Sequence, residues 1–242
     1  MNLSFPPKKS VLLTSIVLAS LSLTACSDDD DNSLPNTDDT PTESTQQYTV
    51  TVTNLTSSQP MSPLALITHE ANTKLWQQGQ PSSLAIETMA ESGDNSQLLA
   101  LEGNEYNITG EAILLPGGSE TFTLSMSDDT ELTASLATML VNTNDAFTGF
   151  TDVSFTHLSL NETMEWQTSV YDAGTEANSE EQGTIPGPAD GGEGFNSTRD
   201  DIDRVHLHPG IISSDDGLMN SVLSAHHRFD NPSLNIKIER IQ

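Results

Sequence analysis

Cys26 is the only cysteine in the chain, and its place constrains what the chain can fold into more than any other residue. It ends Leu23-Thr24-Ala25-Cys26, which closes an apolar run from Val11 to Leu23 preceded by Lys8 and Lys9. Such a run is too short to span a bilayer as a stable helix and reads as the h-region of a secretory signal. An apolar residue, two small residues and a cysteine form a bacterial lipobox. The small side chains admit the peptidase, and the thiol accepts a diacylglyceryl group. Residues 1–25 are expected to be a signal peptide and Cys26 the lipidated first residue of the mature chain. The other reading is a buried N-terminal helix with a chance cysteine. With Cys26 acylated, whatever folds downstream has no disulfide and must build its own core.

Each acyl CH₂ buried in lipid contributes roughly 0.8 kcal/mol, so two or three chains on Cys26 form a firm membrane anchor. Ser27 rather than an aspartate follows the cysteine, which directs the expected localisation to the cell envelope and its outer membrane. The chain carries a formal net charge of −27, and loss of the two signal lysines deepens it. Nucleic acid is therefore excluded as a partner, because that binding rests on Lys and Arg neutralising phosphates. The charge suits divalent cations, a salty habitat or simply a solvated surface. Residues 26–47 contain one large apolar side chain, Leu34, and cannot offset chain entropy by burial. They read as a disordered acidic tether, with an end-to-end distance on the order of 25 Å.

From Tyr48 the pattern changes. Tyr48-Thr49-Val50-Thr51-Val52-Thr53 alternates with period two and predicts a strand. Further strands are predicted at 64–68, 120–126, 135–141, 151–158, 165–170, 204–208 and 234–241. Between the second and third, 84–91 and 95–102 follow helical spacing, with Ser82 or Ser83 and Asp94 as N-caps. The fold class expected for 48–242 is all-β, an antiparallel β-sandwich with a short helical insertion.

Two segments after strands concentrate hard oxygen donors. Val141–Gly149 carries Asn144 and Asp145, and Val170–Asn178 carries Asp172, Glu176 and Asn178 around Gly174. Calcium takes six to eight such oxygens in flexible geometry. Ordinary turn chemistry is the competing explanation, because Asx side chains bond nearby backbone amides.

The motifs MLVNTNDAFTG, YDAGTEAN, IPGP, GGEGF and VHLHPGI stand in the order seen in bacterial spondin-domain proteins. The resemblance extends over about residues 47–242 and reaches the N-terminal F-spondin domain of animal matrix proteins. It implies a C2-like β-sandwich with calcium in loops at one end, and a role in adhesion. It also implies Asp145, Asp172 and Glu176 as metal ligands, with Asn144 and Asn178 beside them. Glu176 stands where the animal domains have Asp, one methylene shorter. The cysteines of many relatives are missing here, and no acid matches the integrin contact of the animal proteins.

The histidines allow a different chemistry. His206 and His208 are two apart on an expected strand and so share a face. With His226 or His227 they would make a site for zinc, copper or iron. Packing beside the Gly-rich segment 187–195 is the plain alternative. The sequence has no GxSxG, GxxxxGK[ST] or HExxH motif. The expectation is therefore a non-enzymatic, calcium-dependent module for an extracellular protein or glycan. A histidine-metal enzyme is the rival, and a ligand-free envelope scaffold is a third reading.

Overall fold

The computed structural model of the chain describes residues 45–127 and 131–242. The expected signal peptide, Cys26 and the expected tether as far as residue 44 lie outside the described residues. The tether boundary moves: the first strand, β1 (Thr45–Asn54), begins three residues before Tyr48. Gln46 and Gln47 pair through their backbones with Met126 and Ser125, and composition does not register such bonds.

In β1 the alternation acts as the sequence predicts. Tyr48, Val50 and Val52 are fully buried, while the threonines between them face outward. Thr51 and Thr53 meet Thr121 and Ser119 across the strand pair, hydroxyl to hydroxyl at 3.0 and 2.7 Å. The partner is β4 (Ser119–Ser127), and on the other side lies β10 (Leu234–Arg240), followed by β7 (Thr163–Thr168). The order β4-β1-β10-β7 makes one antiparallel sheet.

The second sheet has six strands in the order β3-β2-β5-β6-β8-β9, also antiparallel. They are β2 (Ala65–His69), β3 (Asn104–Thr109), β5 (Thr133–Met139), β6 (Ala146–Ser154), β8 (Val170–Asp172) and β9 (His206–Leu207). Between the sheets Tyr48, Val52, Phe122 and Ile236 pack against Leu66, Leu136 and Phe150. The molecule is an all-β antiparallel sandwich.

The outer face of the six-stranded sheet is covered too. Helix α1 (Leu84–Ser92) lays Ile86, Met89 and Ala90 over Ile67, Ala137 and Phe147, with Leu98 from α2 (Ser96–Leu99). This explains why every residue of β5 is buried: its strand is covered on both faces. The Ser83 hydroxyl caps α1 by accepting from the Ile86 amide at 3.3 Å.

Three expectations are corrected. β3 is a strand where none was predicted, because its NEYNIT segment exposes Glu105, Tyr106 and Asn107 at a sheet edge and shows no alternation. α2 is one turn rather than 95–102. β6 starts at Ala146, not at 151, so the second half of Val141–Gly149 is strand, while residues 141–145, with Asn144 and Asp145, form the turn before it. Its Asn, Asp and Gly residues conceal this. Gly149 has φ 149°, and a Cβ there would stand 1.8 Å from the Leu136 carbonyl oxygen, so β5 and β6 approach only through a glycine.

Candidate metal centre

The two loops reach one place because β6 and β8 pair. Ala146 lies opposite Asp172, and the Ala173 amide donates to the Asp145 carbonyl at 3.2 Å. Asp145 and Asp172 are both fully buried at the same end of the sheet. The turn before β6 is shaped by Thr143, whose hydroxyl donates to the Leu140 carbonyl at 2.6 Å and accepts from the Ala146 amide at 3.1 Å.

The Asp145 carboxylate is half satisfied. Its Oδ2 accepts from the Thr175 amide at 2.8 Å, the Thr175 hydroxyl at 3.1 Å and the Glu176 amide at 3.1 Å. Its Oδ1 is buried and has no hydrogen-bond partner. Burial, then the neighbouring Asp172 charge, pushes Asp145 up to about 7 despite those three bonds. Asp172 is tied on both oxygens: Oδ1 accepts from the Gly174 amide at 2.8 Å and Oδ2 from the Asn178 amide nitrogen at 2.7 Å. Asn178 thus holds Asp172 through its N–H₂ group.

Glu176 is also buried. Desolvation, then the charges of Glu91, Asp145, Glu193 and Asp200, pushes it up to about 8. Asn144 donates to the Thr184 hydroxyl and carbonyl at 3.0 and 3.3 Å, leaving its Oδ1 buried without a partner. Asn144 and Glu176 open onto a recess of about 90 Å³ with Glu193 and Asp200. Glu91 was missed from sequence. It comes from α1, accepts from the Asn196 amide at 2.9 Å through Oε2, and has a buried, unpartnered Oε1. Burial raises its pKa. Its helical position in an apolar pattern carries no signal of a site; only the tertiary packing places it beside Glu176.

The oxygens fit a hard cation. Asp145, Asn144 and Glu91 each present a buried acceptor that nothing satisfies, and such groups are costly unless something pairs with them. Asp145, Asp172 and Glu176 do not themselves converge. Among the described residues, the group of three His, Asp or Glu ligand atoms within 4.8 Å of one another is Asp172, Asp201 and His206.

The histidines divide. His206 and His208 both turn toward Asp172, with Nε2 at 3.7 and 4.0 Å from its Oδ2. His226 and His227 sit on a separate 3₁₀ turn and join no such group. His227 accepts from the Ser224 amide at 3.1 Å instead. The group that includes His206 thus has Asp201 in it and no second histidine.

The Spondin_N family model matches residues 39–186, more than half of the chain. This chain belongs to the Spondin_N family. Among curated proteins none matches it. Membership makes the Spondin_N chain an extracellular or binding module in general terms. The matched stretch of the spondin domain ends after the YDAGTEAN loop, so it includes Asp145, Asp172 and Glu176 but not Asp201, His206 or His208. It also stops short of β10, which lies between β1 and β7. The spondin sandwich is therefore completed by residues beyond the match. Gly174 explains how the two parts of this spondin domain join. Its φ is 72°, and a Cβ would stand 2.3 Å from the Arg204 carbonyl oxygen. The Asp203 amide donates to the Gly174 carbonyl at 2.8 Å, and the Asp200 amide to the Thr175 carbonyl at 3.0 Å.

Proposed function

We propose that this chain is a cell-envelope lipoprotein, anchored through acylated Cys26, whose spondin domain binds calcium at the Asp145 end. So ordered, that end binds a protein or glycan on a neighbouring surface. The observation that carries the reading is Asp145 Oδ1, a carboxylate oxygen buried without a partner beside two further acids. Calcium would take oxygens from Asp145, Glu176 and Asn144, with Asp172 as the acid contributed by β8 and Asn178 holding it. Glu91 completes a donor set made only of hard oxygens, which suits calcium.

What the ion does is electrostatic. It neutralises acids that otherwise repel one another and pins the turn before β6 to the segment after β8. We read the module as binding rather than catalytic, because its carboxylates are clamped by backbone amides and the sequence carries none of the hydrolase or phosphate-loop motifs. The test is calorimetry and thermal melting of the full chain, first in EGTA and then with calcium. One calcium per chain and a raised midpoint are expected. No heat of binding together with an unchanged midpoint overturns the reading.

A further inference from the structure

His206 and His208 flank Asp172 with opposite tautomers. His206 Nδ1 lies 3.2 Å from the Arg204 carbonyl oxygen. A carbonyl only accepts, so Nδ1 carries the hydrogen and the neutral ring presents a bare Nε2 lone pair to Asp172 Oδ2 at 3.7 Å. Two acceptors facing at that distance repel unless a proton or a metal ion lies between them. His208 has the reverse arrangement. Its Nδ1 accepts from the Gly210 amide at 2.9 Å, so the hydrogen is on Nε2. That Nε2 is buried, has no partner, and points at Asp172 Oδ2 from 4.0 Å.

We propose that Asp172, Asp201 and His206 form a site for a zinc-class divalent ion, in a part of the fold that the family match only partly reaches. The ligand atoms lie within 4.8 Å of one another. Tetrahedral zinc with bonds of about 2.0–2.2 Å needs ligands about 3.4 Å apart, so His206 and Asp172 are nearly in place. Asp201 has only to swing inward, on a segment that hydrogen bonds hold against the loop of Asp172. A nitrogen ligand distinguishes this site from the all-oxygen calcium centre. The Arg204 carbonyl fixes the His206 ring in the tautomer that ligation requires. His206 is partly exposed, so the fourth position opens to solvent. A water or a partner's carboxylate can occupy it. The proposal does not depend on calcium, although the two sites share Asp172.

The full chain, stripped with EDTA, is titrated with zinc in saturating calcium and again in its absence, and with cobalt(II) for its visible absorption. One zinc per chain is expected, with cobalt bands of low coordination number. His206→Gln and Asp201→Asn each weaken zinc by about tenfold or more, whereas His226→Asn leaves it unchanged. Melting curves of the metal-free variants that match the parent show that the fold is intact. Equal zinc affinity in the parent and in His206→Gln overturns the proposal, as does a stoichiometry that falls equally in all three variants. Loss of calcium binding with zinc binding retained would remove the calcium reading and leave this one standing.

Discussion

Asp145 is held by the loop that Asp172 begins: its Oδ2 takes the amides of Thr175 and Glu176, while Asp172 takes the amide of Gly174. Each carboxylate therefore organises the same turn from a different strand. One oxygen of Asp145 is left over, buried and without a partner, which ordinary Asx-turn chemistry does not account for.

Removing the surplus oxygen's charge should uncouple the fold from calcium. If calcium binds the folded chain and not the unfolded one, a hundredfold excess over Kd adds about 2.7 kcal/mol. In Asp145→Asn the midpoint should no longer move with calcium, and in EGTA it should equal or exceed the parent's, because a buried like-charge contact has gone. Differential scanning calorimetry in both buffers measures this. A full calcium shift retained in the variant would exclude Asp145 as a ligand.

The pH dependence without metal follows from the same burial. Asp145 and Glu176 are raised from ordinary values of 3.8 and 4.5 to about 7 and about 8. The folded chain thus holds protons that the unfolded chain has released. Stability contributed by these groups is present at low pH and is lost as pH rises through that window. His208 acts oppositely: it is depressed from 6.5 to about 4, mainly by burial, so its contribution is lost as pH falls between those values. Urea unfolding in EGTA between pH 6.5 and 8 isolates the acids, within the span of those two values. The parent should lose stability with rising pH there, Asp145→Asn should lose less, and calcium should abolish the slope.

Gly174→Ala should destabilise by more than about 1 kcal/mol, because it combines a positive φ with a collision against the Arg204 backbone. Hydrogen exchange should place the loss at Asp200 and Asp203, whose amides bond to the Thr175 and Gly174 carbonyls. Chemical denaturation of the variant within error of the parent would show that the backbone relaxes there.

Cys26→Ala should abolish acylation and release the chain from membranes, since the anchor is the expected source of its membrane affinity. Detergent partitioning and mass spectrometry of the N-terminal peptide measure this. Membrane association unchanged in the variant would refute the anchor.

Several features were legible from sequence because they are local. The alternation in Tyr48–Thr53 is read directly in the buried face of β1, and the cap at Ser83 follows from hydroxyl chemistry at a helix start. β3 and the start of β6 were not legible. An exposed edge strand has no alternation to show, and a strand covered on both faces has none either. The order of NTNDAF and YDAGTE identified which acids to watch, but not that the Asn178 amide nitrogen would donate to Asp172.

By itself, the sequence determined the sandwich class, the lack of any disulfide and the acids that lie near strand ends, because periodicity, composition and spacing are properties of neighbours along the chain. Tertiary structure alone decided that Glu91 from a helix stands beside Glu176, and that Asp201 rather than a third histidine joins His206 at Asp172. Those relationships arise where antiparallel pairing and the packing of α1 bring distant segments together, and no local pattern encodes which oxygen is left without a partner.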